Sequence, residues 1–248
     1  MTSVIGLIPS RLASRRLPGK PLLEIMGLPL IIHVARRAAL SPTLDEVWVC
    51  TDSQEISQVC DQYDVRCKLT PADCENGTER IATTIGGFPS ADLFVDIQGD
   101  EPLLNPEHID RVVQFHQSAE LKPDIVIPTL RTPYGADSST VRVLSSKSGR
   151  ILYLTRQDVP YPFVSRPQFF QKHLSIISFT PAALGAYAKL SRSDYENYED
   201  IELLRALEND FTLLACPLEG DSFSVDQEDD YMKARIAMES DPLTKKYL

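Results

Sequence analysis

Four cations near the start of this 248-residue sequence lie within ten residues of one another: Arg11, Arg15, Arg16 and Lys20. Guanidinium and ammonium groups, together with the N–H groups of a loop backbone, bind the oxygens of a polyphosphate. The segment is not a Walker loop, because Ser14 stands where that pattern has its first glycine and Pro21 follows the lysine. The cations therefore predict a polyphosphate-binding loop of another kind, and a solvated basic loop is the alternative.

Two aspartates that are distant in the sequence are candidate ligands for Mg²⁺. Asp100 lies in the segment Gln98–Pro102, just after an apolar run that predicts a central strand. Asp226 follows Val225 and precedes a predicted helix. A carboxylate at the carboxyl end of a strand is well placed to hold Mg²⁺ against phosphate oxygens. The alternatives are structural: a plain turn around Asp100, and an N-cap at Asp226 with Asp229 as its partner.

A third segment, Asn76–Arg80, carries another cation. Its Asn-Gly pair predicts a tight turn, and the residues that follow are suited to begin a helix with Arg80 in its first turn. Taken alone, the segment is a weak indication of function.

The elements that must position these residues alternate between strand-like and helix-like patterns over the first ~130 residues. Apolar runs predict four buried strands, at residues 4–8, 47–50, 93–97 and 125–127. Helical spacing predicts helices at residues 29–39, after Asp52 as an N-cap, and around 109–116. This order predicts an α/β fold in which helices cover both faces of a parallel sheet.

The second half of the sequence is less regular. Its patterns predict a hairpin of strands 141–144 and 151–154, a strand at 174–179, a helix that begins at Thr180-Pro181, a helix at 198–208, a strand at 211–215 and a helix at 227–238. We interpret residues 1–248 as a single doubly wound domain with a subdomain inserted at about residues 130–190.

Composition excludes several classes of protein. The chain has 25 Lys and Arg against 35 Asp and Glu, a formal net charge of −10, so we expect no binding to nucleic acid. We find neither a basic segment before the first apolar run nor an apolar stretch of the ~20 residues that a membrane span needs. We therefore expect a cytoplasmic protein without membrane insertion. The five cysteines form no C-x-x-C pair and are expected to be reduced and mostly buried.

Together these segments resemble the 3-deoxy-manno-octulosonate (Kdo) cytidylyltransferases. Residues Ile8–Leu22 are similar to the phosphate loop of that family, with Ser10 for the usual Ala and Arg15 for a small polar residue. Asn76–Arg80 resembles the motif S-G-T-E-R, and Ile97–Pro102 resembles V-Q-G-D-E-P. The long loop and the Q-G-D-E-P motif, in this order and spacing, are a specific pair.

Further matches extend the resemblance over nearly the whole chain. Leu154–Arg156 stands where the family has Phe-Ser-Arg, Ile201–Glu208 resembles L-E-Q-L-R-A-L-E, and Ser224–Asp226 stands for Gly-Val-Asp. The resemblance implies a Rossmann-like nucleotidyltransferase fold, a mostly parallel sheet between helices with a small inserted dimerisation subdomain. A homodimer is therefore expected.

The resemblance also implies an activity and a set of site residues. The activity is Mg²⁺-dependent transfer from CTP to Kdo or a related acidic sugar, with release of pyrophosphate. The implied catalytic residues are Arg11, Lys20 and Asp100, and the implied Mg²⁺ ligands are Asp100 and Asp226. The implied nucleotide-binding residues are Arg11, Ser14, Lys20, Arg80 and Gln98, and the implied acceptor-binding residues are Gln98, Arg156, His173 and Glu202.

The acceptor side departs from the family pattern. The family segment R-H-L-G-I-Y-G-Y-R corresponds to Lys172–Thr180, where His173 is kept but Ile177 and Phe179 replace two tyrosines. Leu203 replaces the Gln of L-E-Q-L-R. A site without partners for a substrate hydroxyl loses selectivity for it. The alternatives are therefore a different acid, such as a nonulosonate or a small phosphonate, another nucleotide base, or a non-catalytic nucleotide-binding homologue.

Overall fold

Two units make up the chain in the computed structural model, which describes residues 2–14, 16–135 and 140–248. One unit comprises residues 1–110 and 222–248, and the other comprises residues 111–221. The predicted inserted segment, about 130–190, lies within the second unit, and its role in dimerisation stays a prediction. Among the described residues, no helix combines the length and apolar character needed to span a membrane.

The first unit is built on a parallel sheet. Its strands are β1 (Val4–Ser10), β2 (Glu24–Ile25), β3 (Leu28–Pro29), β4 (Glu46–Thr51), β5 (Cys67–Leu69) and β6 (Leu93–Ile97). Its helices are α1 (Leu30–Ala38), α2 (Gln54–Gln62), α3 (Gly77–Ala82), the first part of α4 (Pro106–Ser118) and, late in the chain, α8 (Glu228–Ser240). Four strands pair in the order β5-β4-β1-β6, all parallel, which confirms the predicted sheet.

The central position of β1 explains its apolar sequence. All seven residues of the strand are buried, because strands lie on both of its edges and helices α1 and α3 pack against it. Strands of this kind are typically continuous apolar runs. The carboxyl ends of β1 and β6 are neighbours, so the loops that follow them begin side by side.

Polar contacts hold residues 222–248 against the rest of the first unit. Arg37 donates to both carboxylate oxygens of Asp241, at 2.6 and 3.2 Å. Burial alone would raise the pKa of Asp241, but hydrogen bonds from Arg37 and Thr244 lower it to about 2. The hydroxyl of Tyr231 donates to the carbonyl of Glu24 at 2.6 Å. These contacts fix the segment that carries Asp226.

Two helix starts in the first unit differ from the prediction. The cap of α2 is Ser53, whose Oγ accepts the N–H of Ile56, so Asp52 as the cap was wrong. Serine and aspartate cap equally well, and Asp52 is instead 3.5 Å from the guanidinium of Arg80. The helix start predicted after Asn76 is confirmed as α3, but Asn76 is its N-cap, accepting the N–H of Glu79 at 2.8 Å, and does not form a tight turn with Gly77.

The second unit is mixed. Its strands are β7 (Ile125–Pro133), β8 (Arg142–Ser145), β9 (Ile151–Thr155), β10 (Phe169–His173), β11 (Ile176–Phe179) and β12 (Leu213–Leu218). Its helices are the rest of α4, α5 (Pro181–Tyr187), α6 (Asp194–Glu199) and α7 (Leu204–Glu208). β7 pairs in parallel with β12 and antiparallel with β10 and β11, and β8 and β9 form the predicted hairpin.

The strand predicted at 174–179 is present as β11 but begins two residues later, at Ile176, and the separate strand β10 before it was not predicted. His173 lies opposite Thr129, whereas Ser178 lies opposite Val126, so the four residues 174–177 face only two residues of β7. One of those two is Pro128, which has no N–H to donate to a ladder. The chain bulges at this point and resumes pairing at β11.

The single helix predicted at 198–208 is also wrong. The chain turns at Asp200, whose backbone is left-handed (φ 51°, ψ 47°) and ends α6. α6 begins with a capping box formed by Ser193 and Glu196. Glu196 also accepts two hydrogen bonds from Arg205 of α7, at 2.7 and 2.8 Å, and both side chains are buried. This ion pair holds two short helices where the periodicity predicts one.

Candidate active site

The first unit brings Lys20, Asp100 and Asp226 together. The Nζ of Lys20 donates to Oδ2 of Asp100 at 2.9 Å and to the carbonyl of Val225 at 2.8 Å. The same nitrogen lies 3.5 Å from Oδ1 of Asp226. Residues 80 and 206 positions beyond the lysine therefore meet at one ammonium group, and both carboxylates contact the phosphate-loop segment.

Backbone contacts set this geometry. The N–H of the buried Val225 donates to the carbonyl of Asp100 at 2.9 Å, which joins the two aspartate segments directly. Gly99 lies so close to the end of β1 that a Cβ on it would be 2.9 Å from the carbonyl oxygen of Pro9. Only glycine lets the turn after β6 approach the start of the phosphate loop this closely.

Lys20 is presented by a short 3₁₀ helix, Lys20–Leu22. Gly19 precedes it with a left-handed backbone (φ 66°), a conformation that side chains with a Cβ rarely adopt. Pro21 follows at a first-turn position, where its fixed φ and missing N–H cost nothing. The Gly-Lys-Pro sequence thus aims the ammonium group back at the carboxylates.

Asp226 is not the cap of α8, so that structural alternative was wrong. Gln227 is the cap, in a capping box with Asp230. The carboxylate of Asp226 instead accepts from two cations, Arg16 at 2.9 Å and Lys20 at 3.5 Å. The side chain is 36 % exposed, which leaves it accessible to a ligand.

The remaining loop residues differ in their surroundings. Arg11 is exposed and makes no hydrogen bond or ion pair with another described residue, so its charge is available to an anion. The Oγ of Ser14 accepts the N–H of Leu17 at 3.4 Å and so helps to shape the loop. Arg15 lies outside the described residues. Arg16, which was predicted only as one of the four cations, contacts Asp226, and no other sequence signal points to it.

Arg80 is 4 % exposed and is held by protein groups. Its guanidinium donates to Oγ1 of Thr70 at 2.6 Å and to the carbonyl of Pro71 at 3.3 Å, and it lies 3.5 Å from Asp52. Asp52 follows β4 and Thr70 follows β5, so Arg80 joins the segments beyond two strand ends. A contact between Arg80 and a nucleotide stays a prediction.

Gln98 lies just beyond β6 and is half-buried. Its Nε2 donates to both carboxylate oxygens of Asp96, at 3.1 and 3.3 Å. The same nitrogen is 3.4 Å from the point where a Cβ on Gly77 would lie, so Gln98 sits close to the start of α3. Its predicted contacts to nucleotide and acceptor stay predictions.

The donor set of Asp100 and Asp226 fits Mg²⁺. Carboxylate oxygens are the hard ligands that this ion prefers, and protein sites for Mg²⁺ typically supply one or two of them while water and substrate phosphates complete the shell. Within the described residues, no group of three or more His, Cys, Asp or Glu side chains forms a fuller cage. The pair therefore suits a metal ion whose ligands are the two carboxylates together with the oxygens of a polyphosphate.

The predicted acceptor residues Arg156 and His173 lie in the second unit. Arg156 donates from its backbone N–H to the carboxylate of Glu199 at 2.7 Å and from Nε to the carbonyl of Glu199 at 2.8 Å. His173 ends β10 and is half-buried. Burial, with the positive charges of Arg156 and Lys172, lowers the pKa of His173 to about 4. At neutral pH its imidazole is therefore uncharged.

Glu202 lies in the turn between α6 and α7. Its carbonyl accepts the hydroxyl of Tyr187 at 3.1 Å and the N–H of Arg205 at 3.2 Å, so its backbone is well fixed. Its role toward an acceptor stays a prediction.

The residues that depart from the family pattern lie in the core of the second unit. Ile177 is 2 % exposed, Phe179 0 % and Leu203 1 %. These apolar side chains therefore pack in the core of the unit. The sequence alone cannot show which way a side chain faces.

Comparison with known proteins identifies the family. A family model described as cytidylyltransferase matches residues 5–213. The mitochondrial 3-deoxy-manno-octulosonate cytidylyltransferase of Arabidopsis thaliana is 35 % identical over 243 residues, which cover 95 % of this chain and 83 % of the relative. The enzyme of the same name from Acidobacterium capsulatum is 35 % identical over 238 residues, covering 92 % and 93 %.

Solved structures agree with the sequence relatives. The structure of CMP:2-keto-3-deoxy-manno-octonic acid synthetase complexed with CTP superposes with a TM-score of 0.91 at 29 % identity, over 96 % of this chain and 99 % of that one. A cytidylyltransferase from Leptospira borgpetersenii, at 17 % identity and a TM-score of 0.66 over 96 % and 87 % of the chains, shares the fold. The fold is thus the expected Rossmann-like nucleotidyltransferase fold. The chain belongs to the 3-deoxy-manno-octulosonate cytidylyltransferase family of nucleotidyltransferases.

Proposed function

We propose that this chain transfers the cytidylyl group of CTP to 3-deoxy-manno-octulosonate and releases pyrophosphate. The observation that carries the proposal is the meeting of Lys20 with Asp100 and Asp226 at the end of a parallel sheet. Two further findings support the proposal: the names of the relatives, and the CTP bound in the similar solved structure. The names of the relatives favour Kdo over the alternative acids.

The proposed reaction is an in-line displacement. An acceptor oxygen, the anomeric hydroxyl in Kdo, attacks the α-phosphorus of CTP. The bond from that phosphorus to the bridging oxygen breaks, pyrophosphate leaves with the electron pair, and the hydroxyl proton passes to solvent. Such transfers need little covalent work from the protein, which positions the groups and neutralises charge.

The chain's own residues supply the charged groups that this neutralisation requires. Lys20 and Arg11 stabilise the negative charge that builds on the departing pyrophosphate. Asp100 and Asp226 would hold Mg²⁺, which supplies Lewis-acid polarisation of the α-phosphate when bound. Gln98 and Arg80 complete the nucleotide side in this proposal.

Arg156, His173 and Glu202 are proposed to bind the acceptor. The uncharged imidazole of His173 offers one donor and one acceptor to the polar groups of the sugar acid. Arg156 supplies the positive charge that a carboxylate requires.

A pyrophosphate-release assay tests the function. We expect turnover with CTP, Kdo and Mg²⁺, and little with ATP, GTP or UTP. Nonulosonates and small phosphonates in place of Kdo test the alternative acceptors. Absence of turnover with every acceptor would favour a non-catalytic nucleotide-binding protein.

A matched pair of variants tests the aspartate assignment. Asp226→Asn should reduce kcat/KM by roughly 100-fold or more, because a metal ligand that stabilises developing charge is lost. Asp229→Asn removes the same charge three residues away, on an exposed side chain of α8, and should leave the rate unchanged. Equal rates in the two variants would contradict the assignment.

We also propose a homodimer. In the described chain, Tyr161, Phe163 and Val164 of the second unit are 80 to 93 % exposed, and runs of exposed apolar side chains are typical of interaction surfaces. Sedimentation equilibrium should give twice the chain mass, and Phe163→Ser should shift the protein toward the monomer.

A further inference from the structure

The paired aspartates are already neutralised by cations of the chain itself. Lys20 directs its ammonium group at Asp100, Asp226 and the carbonyl of Val225. Arg16 lies 2.9 Å from Oδ1 of Asp226, the same oxygen that Lys20 approaches at 3.5 Å. One oxygen of each carboxylate is therefore already paired with a cation of the chain: Oδ2 of Asp100 with Lys20, and Oδ1 of Asp226 with Arg16 and Lys20.

The two cations differ in how firmly they are held. The side chain of Lys20 is 14 % exposed and has three acceptors. The side chain of Arg16 is 64 % exposed and contacts one carboxylate. Exposed ion pairs of this kind are weak, so Arg16 exchanges readily when a stronger anion arrives.

A nucleotide triphosphate is such an anion. Guanidinium groups bind phosphate through paired hydrogen bonds, and the triphosphate carries more negative charge than one carboxylate. Transfer of Arg16 from Asp226 to the phosphates would remove the nearer of the two positive charges from Oδ1 and leave Lys20 at 3.5 Å.

We infer that Arg16 is a positioning residue that withholds Asp226 from divalent metal until a polyphosphate draws its guanidinium away. The inference rests on the proposed function and adds to it that metal and nucleotide bind cooperatively. Coupling between two ligands is reciprocal, so CTP must strengthen metal binding by the same factor by which metal strengthens CTP binding.

Titration with Mn²⁺ alone, followed by the electron paramagnetic resonance signal of the free ion, tests this without turnover. In the absence of nucleotide, Arg16→Ala should bind Mn²⁺ roughly 3- to 10-fold more tightly than the parent protein, because a nearby positive charge is removed. Arg16→Lys should restore the weaker affinity. Arg66→Ala is the matched control: Arg66 is 55 % exposed and pairs with Glu46, and its loss should leave Mn²⁺ binding unchanged.

Addition of CTP gives the second readout. After subtraction of the Mn²⁺ that CTP binds in the absence of protein, the parent protein should gain more Mn²⁺ affinity from CTP than Arg16→Ala does, since the variant has no guanidinium to displace. The inference is overturned if Arg16→Ala binds Mn²⁺ no more tightly than the parent protein, or if Arg66→Ala gains the same affinity. If neither protein binds Mn²⁺ even with CTP, the metal site of the proposed function fails together with the inference. If both bind Mn²⁺ with CTP and Arg16→Ala differs in neither titration, the proposed function stands and only the role of Arg16 is lost.

Discussion

Gly99 allows a test of how closely the turn after β6 must approach the end of β1. In Gly99→Ala the new Cβ would lie 2.9 Å from the carbonyl oxygen of Pro9, 3.2 Å from Ile31 and 3.4 Å from Ile8. Favourable separations of non-bonded carbon atoms are about 3.5–4.0 Å, so the turn must shift by roughly half an ångström. Overpacking of this size costs about 1–3 kcal/mol.

The shift has consequences for stability and for catalysis. For a chain of this length, about 2 kcal/mol lowers Tm by roughly 4–8 °C. Asp100 is the next residue, so the same shift moves its carboxylate away from Lys20. A misplacement of 1 Å can cost about 100-fold in rate, so half of that should lower kcat/KM by roughly 10-fold.

Gly86→Ala is the matched control. A Cβ on Gly86 would meet no atom within 4 Å, and its φ is not in the left-handed region. Gly86→Ala should therefore have the same Tm and the same rate of pyrophosphate release as the parent protein. If the two alanine variants have the same Tm and kcat/KM, the tight approach at Gly99 does not set the geometry of the site.

Three further predictions concern buried or half-buried polar groups. The Oγ of Ser10 is buried and finds no hydrogen-bond partner among the described residues, so Ser10→Ala should raise the free energy of unfolding by about 1 kcal/mol, seen as a higher Tm. Arg205→Met leaves the buried carboxylate of Glu196 with only the more distant Arg192, at 3.6 Å, and should cost about 3 kcal/mol in urea unfolding, whereas adding Glu196→Leu should recover part of the loss. The folded pKa of His173, about 4, lies below the unfolded value, so its contribution to stability is complete above pH 6.5 and decreases as the pH falls toward 4. Between pH 7 and pH 5 the parent protein should lose about 2 kcal/mol more than His173→Gln, measured by urea unfolding at each pH.

Much of the fold could be predicted because apolar runs report burial directly. The strands β1 and β6 are buried throughout and β4 over its second half, and the sequence shows all three as apolar segments. Helix starts were less reliable. Asp52 and Ser53 are adjacent, and both residue types suit the N-cap of α2. Asp226 and Gln227 are likewise adjacent at the start of α8, where Asp230 forms the capping box with Gln227. In each case only the hydrogen bonds in the structure show which residue is the cap.

Breaks within elements and the direction of side chains needed the structure. Asp200 has a left-handed backbone that ends α6, and helical periodicity does not show this. Pro128 lies in β7, far along the sequence from β10 and β11, and interrupts their pairing with that strand. Ile177 and Phe179 stand at positions where the family has tyrosine, yet burial, which the sequence does not show, decides that they belong to the core.

The hydrogen bond from Val225 to the carbonyl of Asp100 joins segments that the ribosome makes at very different times. Synthesis of the phosphate loop and Asp100 is complete before the second unit, residues 111–221, has begun. Asp226 emerges only after that unit, so the nascent chain carries a basic loop whose second carboxylate does not yet exist. The contact that places Asp226 beside Asp100 can thus form only late in translation, after residues 111–221 have been made.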